Sequence, residues 1–224
     1  MRYEGLMIAQ QLLDELWDFD DPAGSERRLA DAAADGDLSA GERAELVTQL
    51  ARALGLQQRF DDAFAALDSL RGNTDPVVRT RVALETGRLR NSAGAPAQAS
   101  VAFERALALA RAAGQAFLEI DALHMLAIAD AERGEEWARR GIEAAERMTD
   151  ARTRRWLVSL CNNLGWRRFD AGELDAALDS FRTAARWADE LGTAEQRQWA
   201  AEAIAECEAA IAARAAADAR ESGA

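Results

Sequence analysis

The chain has 224 residues with a formal net charge of −12, and its 27 strongly basic residues are all arginine. The length allows one large domain or a short array of repeats, and the acidic balance argues against the cationic surface that nucleic acids require. The absence of lysine excludes a Gly-Lys-Ser/Thr phosphate loop, a Schiff-base lysine and a lysine general base.

Helices are predicted along the whole chain, because alanine is abundant while proline and strand-favouring residues are few. In chain order the sequence divides into five helix pairs and one closing helix, at residues 3–38, 39–74, 75–113, 114–151, 152–192 and 193–220. The charge varies along this order. Residues 1–50 hold twelve Asp and Glu against four Arg, whereas residues 51–112 hold six against nine. An acidic first unit is therefore followed by a mildly basic middle.

The five predicted second helices share one pattern. A small residue is followed by a large apolar residue four positions later and by a small or apolar residue three positions after that. The copies are Ser25-Leu29-Ala32, Ala63-Leu67-Leu70, Ala99-Phe103-Ala106, Ala138-Ile142-Ala145 and Ala177-Phe181-Ala184, and they lie 38, 36, 39 and 39 residues apart. A period of this length is typical of helical repeat proteins.

Each predicted first helix after the first unit carries a small residue where it meets its partner helix, at Ala51, Gly87, Ala127 and Gly165. A small residue lets two helices approach closely. One antiparallel pair cannot bury both of its faces, so the pairs must stack on one another. The sequence therefore predicts an all-α solenoid of antiparallel helix pairs.

Carboxylates recur in the predicted turns, at Asp61-Asp62, Glu135-Glu136 and Glu173. Each group stands close to the start of a second helix, where a carboxylate caps free backbone N–H groups and meets the positive end of the helix dipole. We therefore interpret these paired acids as helix caps rather than as general acid and base.

One unit carries a recognisable signature, namely Asn163-Leu164-Gly165, then Gly172-Glu173-Leu174, then Ala177, Phe181 and Ala184. In these residues the chain resembles the tetratricopeptide repeat family, and the other four units match in part. The period exceeds the ~34 residues usual in that family, and Cys161 and Arg168 stand where the family prefers large aromatics. The resemblance implies a right-handed α-solenoid of five repeats with a C-terminal capping helix.

In this family the first helix of each pair lines a concave groove that binds peptides or partner segments. The resemblance therefore implies a partner-binding groove made of inward-facing first-helix residues. In this sequence they are Thr48, Gln49, Arg52, Arg81, Glu85, Arg88, Asp121, His124, Met125, Asn162, Asn163 and Trp166.

The three arginines of this set allow two interpretations. As free cations, Arg52, Arg81 and Arg88 would suit an acidic peptide or a C-terminal carboxylate, because guanidinium groups bind carboxylates in a bidentate manner. Alternatively, the arginines pair with Glu45, Glu85 and neighbouring acids on the protein itself. On the first interpretation, replacing Arg81 and Arg88 by Ala weakens partner binding without unfolding the protein.

No catalytic, metal or cofactor site is predicted. Asp121 and His124 lie one helical turn apart, and a dyad with Cys161 or Ser159 can be drawn. However, Ser159 lies in no sharp turn, and no pair of oxyanion donors is evident. The two cysteines, Cys161 and Cys207, have no neighbour at metal-ligand spacing and are expected to be reduced and packed.

The closing helix is expected to pack through Trp199, Ala203, Cys207, Ala210 and Ile211 and to cap the array with a polar outer face. Of the six tryptophans, four or five are expected in packing between layers, with Trp166 facing the groove.

Three functional hypotheses follow. The first is a non-catalytic adaptor that binds a protein or peptide in the groove. The second is a self-assembling protein, with a homodimer formed through the closing helix. The third is the sensor module of a regulatory complex.

No apolar run approaches the roughly 18 residues needed to cross a membrane, and the first residues do not resemble a secretory signal, so we expect a cytoplasmic protein. The high Arg and Ala content indicates a bacterial source.

Overall fold

The computed structural model describes the backbone of residues 10–222 and the side chains of residues 12–220. The start of the first predicted repeat, at residue 3, lies outside this range. The described residues form twelve helices and no strand: α1 (Gln10–Leu16), α2 (Pro22–Ala33), α3 (Ala40–Leu56), α4 (Phe60–Asp68), α5 (Pro76–Ser92), α6 (Pro96–Ala112), α7 (Ala116–Ala129), α8 (Gly134–Glu146), α9 (Ala151–Arg154), α10 (Trp156–Asp170), α11 (Leu174–Leu191) and α12 (Ala194–Ser222). The predicted all-helical class is therefore confirmed.

The chain forms two compact units, Met1–Met125 and Leu126–Ala224, and the division falls within α7. In the first unit α3 packs on α2, α4 and α5, and α5 packs on α4 and α6. Most pattern residues of the second helices in this unit are buried, with Leu29, Ala63, Ala99 and Phe103 fully inaccessible, whereas Ala32 is half-buried. Leu70 differs, because α4 ends at Asp68 and leaves Leu70 half-buried in the following turn.

The same glycine-to-phenylalanine contact occurs once in each unit. A Cβ atom added to Gly87 of α5 would lie 2.3 Å from the ring of Phe103 on α6, and one added to Gly165 of α10 would lie 2.4 Å from the ring of Phe181 on α11. Only glycine leaves room for these rings. The predicted role of Gly87 and Gly165 in close helix approach is therefore confirmed.

In the second unit α10 packs on α8 and α11, and α12 packs on α11. The core beside α12 contains Leu174, Phe181, Ala203 and Cys207. Trp199 does not join this core, contrary to the sequence-based expectation, and 59% of it is exposed. The buried face of α12 begins at Ala200 instead, one residue further round the helix.

The acidic turn residues do not cap their helices. Arg59 and Arg133 occupy the N-cap positions of α4 and α8 without a side-chain hydrogen bond. Asp61, Asp62, Glu135 and Glu136 lie in the first turns of these helices, where they meet only the positive end of the dipole. Likewise Glu173 precedes α11 without a capping bond.

Side-chain caps occur at other helix starts. Ser39 and Glu42 form a reciprocal capping box at α3, and the Asp75 carboxylate accepts bonds from two backbone N–H groups at the start of α5. Thr193 and Gln196 bond reciprocally at the start of α12. Among the described residues, no helix combines the length and the apolar character that crossing a membrane requires.

Candidate functional site

The predicted groove residues of the first unit are less accessible than an open groove implies. Thr48, Gln49, Arg81, Glu85 and Asp121 are buried. The remaining predicted residues of this unit, which are Arg52, Arg88, His124 and Met125, are half-buried.

Two of the three arginines are neutralised by ion pairs within the first unit. The Nε of Arg81 on α5 lies 3.1 Å from a carboxylate oxygen of Glu45 on α3. Arg88 contacts Glu85 at 2.6 Å and Asp121, on α7, at 2.5 Å. The pairing expected for Glu45 and Glu85 in the alternative interpretation is therefore present. A partner would have to compete with these internal carboxylates for Arg81 and Arg88.

The buried charges of this network stabilise one another. Burial opposes ionisation of Asp121, but Arg88 and Arg52 outweigh it and lower the pKa of the Asp121 carboxyl. Burial similarly opposes the charge on Arg88, whereas Asp121 and Glu85 raise its pKa. One oxygen of Glu85, Oε2, is buried without a hydrogen-bond partner in the described part of the protein. Arg88 is thus the cation that two buried carboxylates, Glu85 and Asp121, both contact.

Arg52 has a different environment from the other two arginines. Its guanidinium carbon lies 5.7 Å from the ring centroid of Trp17 and 5.2 Å from that of Phe19. These rings stack at 4.8 Å, and the indole N–H of Trp17 donates to the side-chain oxygen of Gln49 at 3.1 Å. Within residues 12–220 no carboxylate lies in ion-pair distance of Arg52. The aromatic platform beneath Arg52 was not predicted from the sequence.

The surroundings of Arg52 disfavour its charged form. Burial is the main cause, and the nearby Arg88 adds to it, so that the pKa of Arg52 falls below its usual value despite the attraction of Glu85 and Asp121. A guanidinium that lacks its own counter-ion and lies beside a second cation is stabilised by an incoming anion. Arg52 is therefore the member of the predicted set best suited to contact an external carboxylate.

His124 and Cys161 do not have the properties of a catalytic dyad. Burial, with the charges of Arg88 and Arg52, lowers the pKa of His124 to about 4, although Asp121 opposes the change. Cys161 belongs to the second unit, where burial raises the pKa of its thiol to about 12. A thiol with this pKa stays protonated and is a weak nucleophile. Within the described residues no group of three His, Cys, Asp or Glu side chains is placed to hold a metal ion.

The three predicted groove residues of the second unit, Asn162, Asn163 and Trp166, are half-buried on α10. The ring of Trp166 packs edge-on against Phe181 at 5.0 Å and against Phe169 at 5.4 Å. Trp166 therefore contributes to the core beside α12 as well as to the surface of α10. The Oδ1 atom of Asn162 is buried without a hydrogen-bond partner in the described part of the chain.

In comparisons with known proteins, no family model and no curated protein matches this sequence. The class that the fold and the site define is therefore an all-helical protein with consecutively packed helices and an internal charge network in its first unit.

Proposed function

We propose that the protein is a non-catalytic interaction scaffold of the cytoplasm, built as a right-handed solenoid of five tetratricopeptide-like repeats with a C-terminal capping helix. The resemblance around Asn163-Leu164-Gly165 and the matching Gly87–Phe103 and Gly165–Phe181 contacts support the repeat assignment. Its ligand is a protein segment that carries a carboxylate, either an acidic side chain or a free C-terminus. Arg52 is the main contact for that carboxylate.

The observation that carries this proposal is the environment of Arg52. Arg81 and Arg88 each contact acids of the protein, whereas Arg52 lies over Trp17 and Phe19 without a carboxylate of its own in the described part of the chain. The aromatic platform restricts the guanidinium, so less side-chain entropy is lost when it binds. Glu85 and Asp121 each direct an oxygen to Arg88, and their remaining negative charge disfavours ligands with several acids at this point.

The proposal is tested by selecting peptides with free carboxyl termini from a random library against the wild-type protein. We expect selected peptides to carry Asp, Glu or an essential terminal carboxylate. Their affinity should fall about tenfold or more for Arg52→Gln, the loss expected for one charge-assisted contact of ~1.5–3 kcal/mol.

Arg27→Gln is the matched control, because Arg27 is exposed and forms no ion pair in the described part of the chain. This variant should bind as wild type does. If the selected peptides bind Arg52→Gln and wild type equally, or if amidation and removal of acids leave their affinity unchanged, the proposal is wrong.

A further inference from the structure

A groove lies on the first unit between α4 and α6. Both helices pack on α5 but not on each other, and side chains of all three helices line the groove between them. The cavity has a volume of about 580 Å³. We call it the arginine groove, with an apolar floor that includes Leu67, Val78, Val82, Val101 and Ala102 and a rim of Arg71, Arg79, Arg90 and Arg105.

The rim of the arginine groove is cationic in a chain that is acidic overall. Its single carboxylate, Asp68, is paired with Arg71 at 2.5 Å. Arg79, Arg90 and Arg105 have no carboxylate partner in the described part of the protein. Within the floor Val101 is 65% exposed and Val82 is half-buried, whereas Leu67, Val78 and Ala102 are buried. The groove therefore combines guanidinium groups that lack a carboxylate partner with an apolar floor that is most exposed at Val101.

A surface of opposite charge lies on α12. Trp199 is 59% exposed, and Glu202 and Glu206 follow it at the spacing that places helical residues on one side. Glu202 accepts only a bond from Gln198, at 2.8 Å, and Glu206 forms no ion pair within residues 12–220. We call Trp199, Glu202 and Glu206 the acidic face of α12. Its large aromatic ring is the counterpart of the apolar floor of the groove. Its unneutralised carboxylates are the counterparts of the arginines on the rim.

We propose that the acidic face of α12 docks in the arginine groove of a second copy of the chain. Trp199 covers the apolar floor, where aromatic anchors contribute most to interfaces, and the glutamates approach the rim arginines. Two copies with a net charge of −12 repel each other in general. Association is therefore favoured where the cationic groove meets an acidic surface. The contact joins two different surfaces, so it produces a head-to-tail series or a reciprocal dimer.

The first test is a concentration series by sedimentation equilibrium. The wild-type mass should rise above 24.3 kDa as the concentration increases. A groove variant, Arg79→Glu with Arg105→Glu, and a face variant, Trp199→Ala, should both remain at the monomer mass with unchanged helicity. Two matched controls, Arg27→Glu and Leu56→Ala, change exposed residues outside both surfaces and should associate as wild type does.

Mixing the two variants distinguishes this contact from other modes of assembly. The groove variant keeps an intact acidic face, and the face variant keeps an intact groove, so a mixture should form a complex of about twice 24.3 kDa. If Trp199→Ala abolishes association while the groove variant associates normally, α12 pairs with another surface and the proposal is overturned. A wild-type protein that stays monomeric into the millimolar range overturns it as well.

Salt gives a test that needs no substitution. The rim and the acidic face are exposed charges, and ions screen such charges strongly. The wild-type association constant should therefore fall as sodium chloride is raised from low to physiological concentration and beyond. An association constant that does not change with salt would contradict the charge complementarity on which the proposal depends.

Discussion

Arg88 connects the buried acids of the first unit. It bonds to Glu85 on its own helix and to Asp121 on α7, and both acids are buried. The sequence placed Arg88 in a predicted binding set with Arg52 and Arg81, but these contacts also give Arg88 a structural role. Removing one partner of a buried pair leaves an uncompensated charge, which is far more costly than the pair itself is stabilising.

We therefore expect Arg88→Ala to lower the free energy of unfolding by about 3–5 kcal/mol, as the interpretation of internal pairing implies and in contrast to the interpretation of free cations. Arg79→Ala is the matched control on the same helix, because Arg79 is exposed and has no carboxylate partner in the described residues. Its stability should stay within about 0.5 kcal/mol of wild type. Urea unfolding followed by circular dichroism measures both changes. Equal stabilities for the two variants would mean that the network does not support the fold.

Arg52 illustrates a site that sequence reasoning located only in part. Its inward placement on a first helix was predicted, but Trp17 and Phe19, which hold it, lie more than 30 residues earlier in the chain. No local pattern links residues at that separation. The sequence offers only one local signal for this site, which is Trp17 ahead of an Asp-rich turn. That signal does not reveal which cation the ring contacts.

At the level of helices, the glycine-to-phenylalanine contacts explain how the pairs pack. The period of small and large residues predicted that Gly87 and Gly165 would allow close approach, and both receive a buried phenylalanine ring. Helix packing of this kind is predictable because the period is repeated and each contact involves neighbouring helices.

Gly165→Ala tests this packing. The new methyl group would meet the buried ring of Phe181 at 2.4 Å, so we expect the free energy of unfolding to fall by about 1–3 kcal/mol, the usual cost of overpacking. Gly36→Ala is the control, because a Cβ atom added to Gly36 would have no neighbour within 4 Å. Combining Gly165→Ala with Phe181→Leu should cost less than the sum of the two changes. If the two substitutions lower stability in thermal unfolding by amounts that simply add, the contact between Gly165 and Phe181 is contradicted.

The arginine groove has its origin in helix lengths. Aligning Leu70 with the other repeats implied a longer α4, but the helix has nine residues and ends at Asp68, while α6 has seventeen. The turn from Leu70 to Asn73 follows, with Gly72 at a positive φ of 86°. That turn and the uncovered part of α5 line the groove. Periodicity indicates where helices lie more reliably than where they end.

At the scale of the molecule, the distribution of charged residues decides which surfaces are cationic, and the net charge does not. Residues 51–112 carry a basic surplus, but two of the three predicted groove arginines in this segment, Arg81 and Arg88, are neutralised by internal acids. In the described part of the chain, the arginines of this segment without a carboxylate partner are Arg52 and three residues on the rim of the arginine groove, Arg79, Arg90 and Arg105. An acidic protein can therefore present a local cationic surface.

The single histidine predicts how stability changes with pH. Its pKa is about 4 in the folded protein and about 6.5 when unfolded, so between these values the unfolded state binds the proton more readily. Stability is therefore retained above about pH 6.5 and is lost as the pH falls towards 4. The loss between pH 7.5 and pH 5 should be about 2 kcal/mol.

Urea unfolding at the two pH values measures this loss, and His124→Gln is the comparison because it cannot take up the proton. The pKa of Asp121 is lowered, so its own loss of stabilisation falls at more acidic pH and does not obscure the effect. If His124→Gln and wild type lose the same stability between pH 7.5 and pH 5, His124 is not the group responsible.

The sequence by itself determined that the protein is helical, where most helices lie and which small residues allow them to pack, because helix propensity and periodicity are local properties of the chain. Tertiary structure decided which charges remain available. Glu45 and Arg81 are 36 residues apart and Arg88 and Asp121 are 33, and only the packing of successive helices brings each pair into contact. The same packing leaves Arg52 and the rim arginines Arg79, Arg90 and Arg105 without carboxylate partners among the described residues, since ion pairing depends on distances in space that composition does not contain.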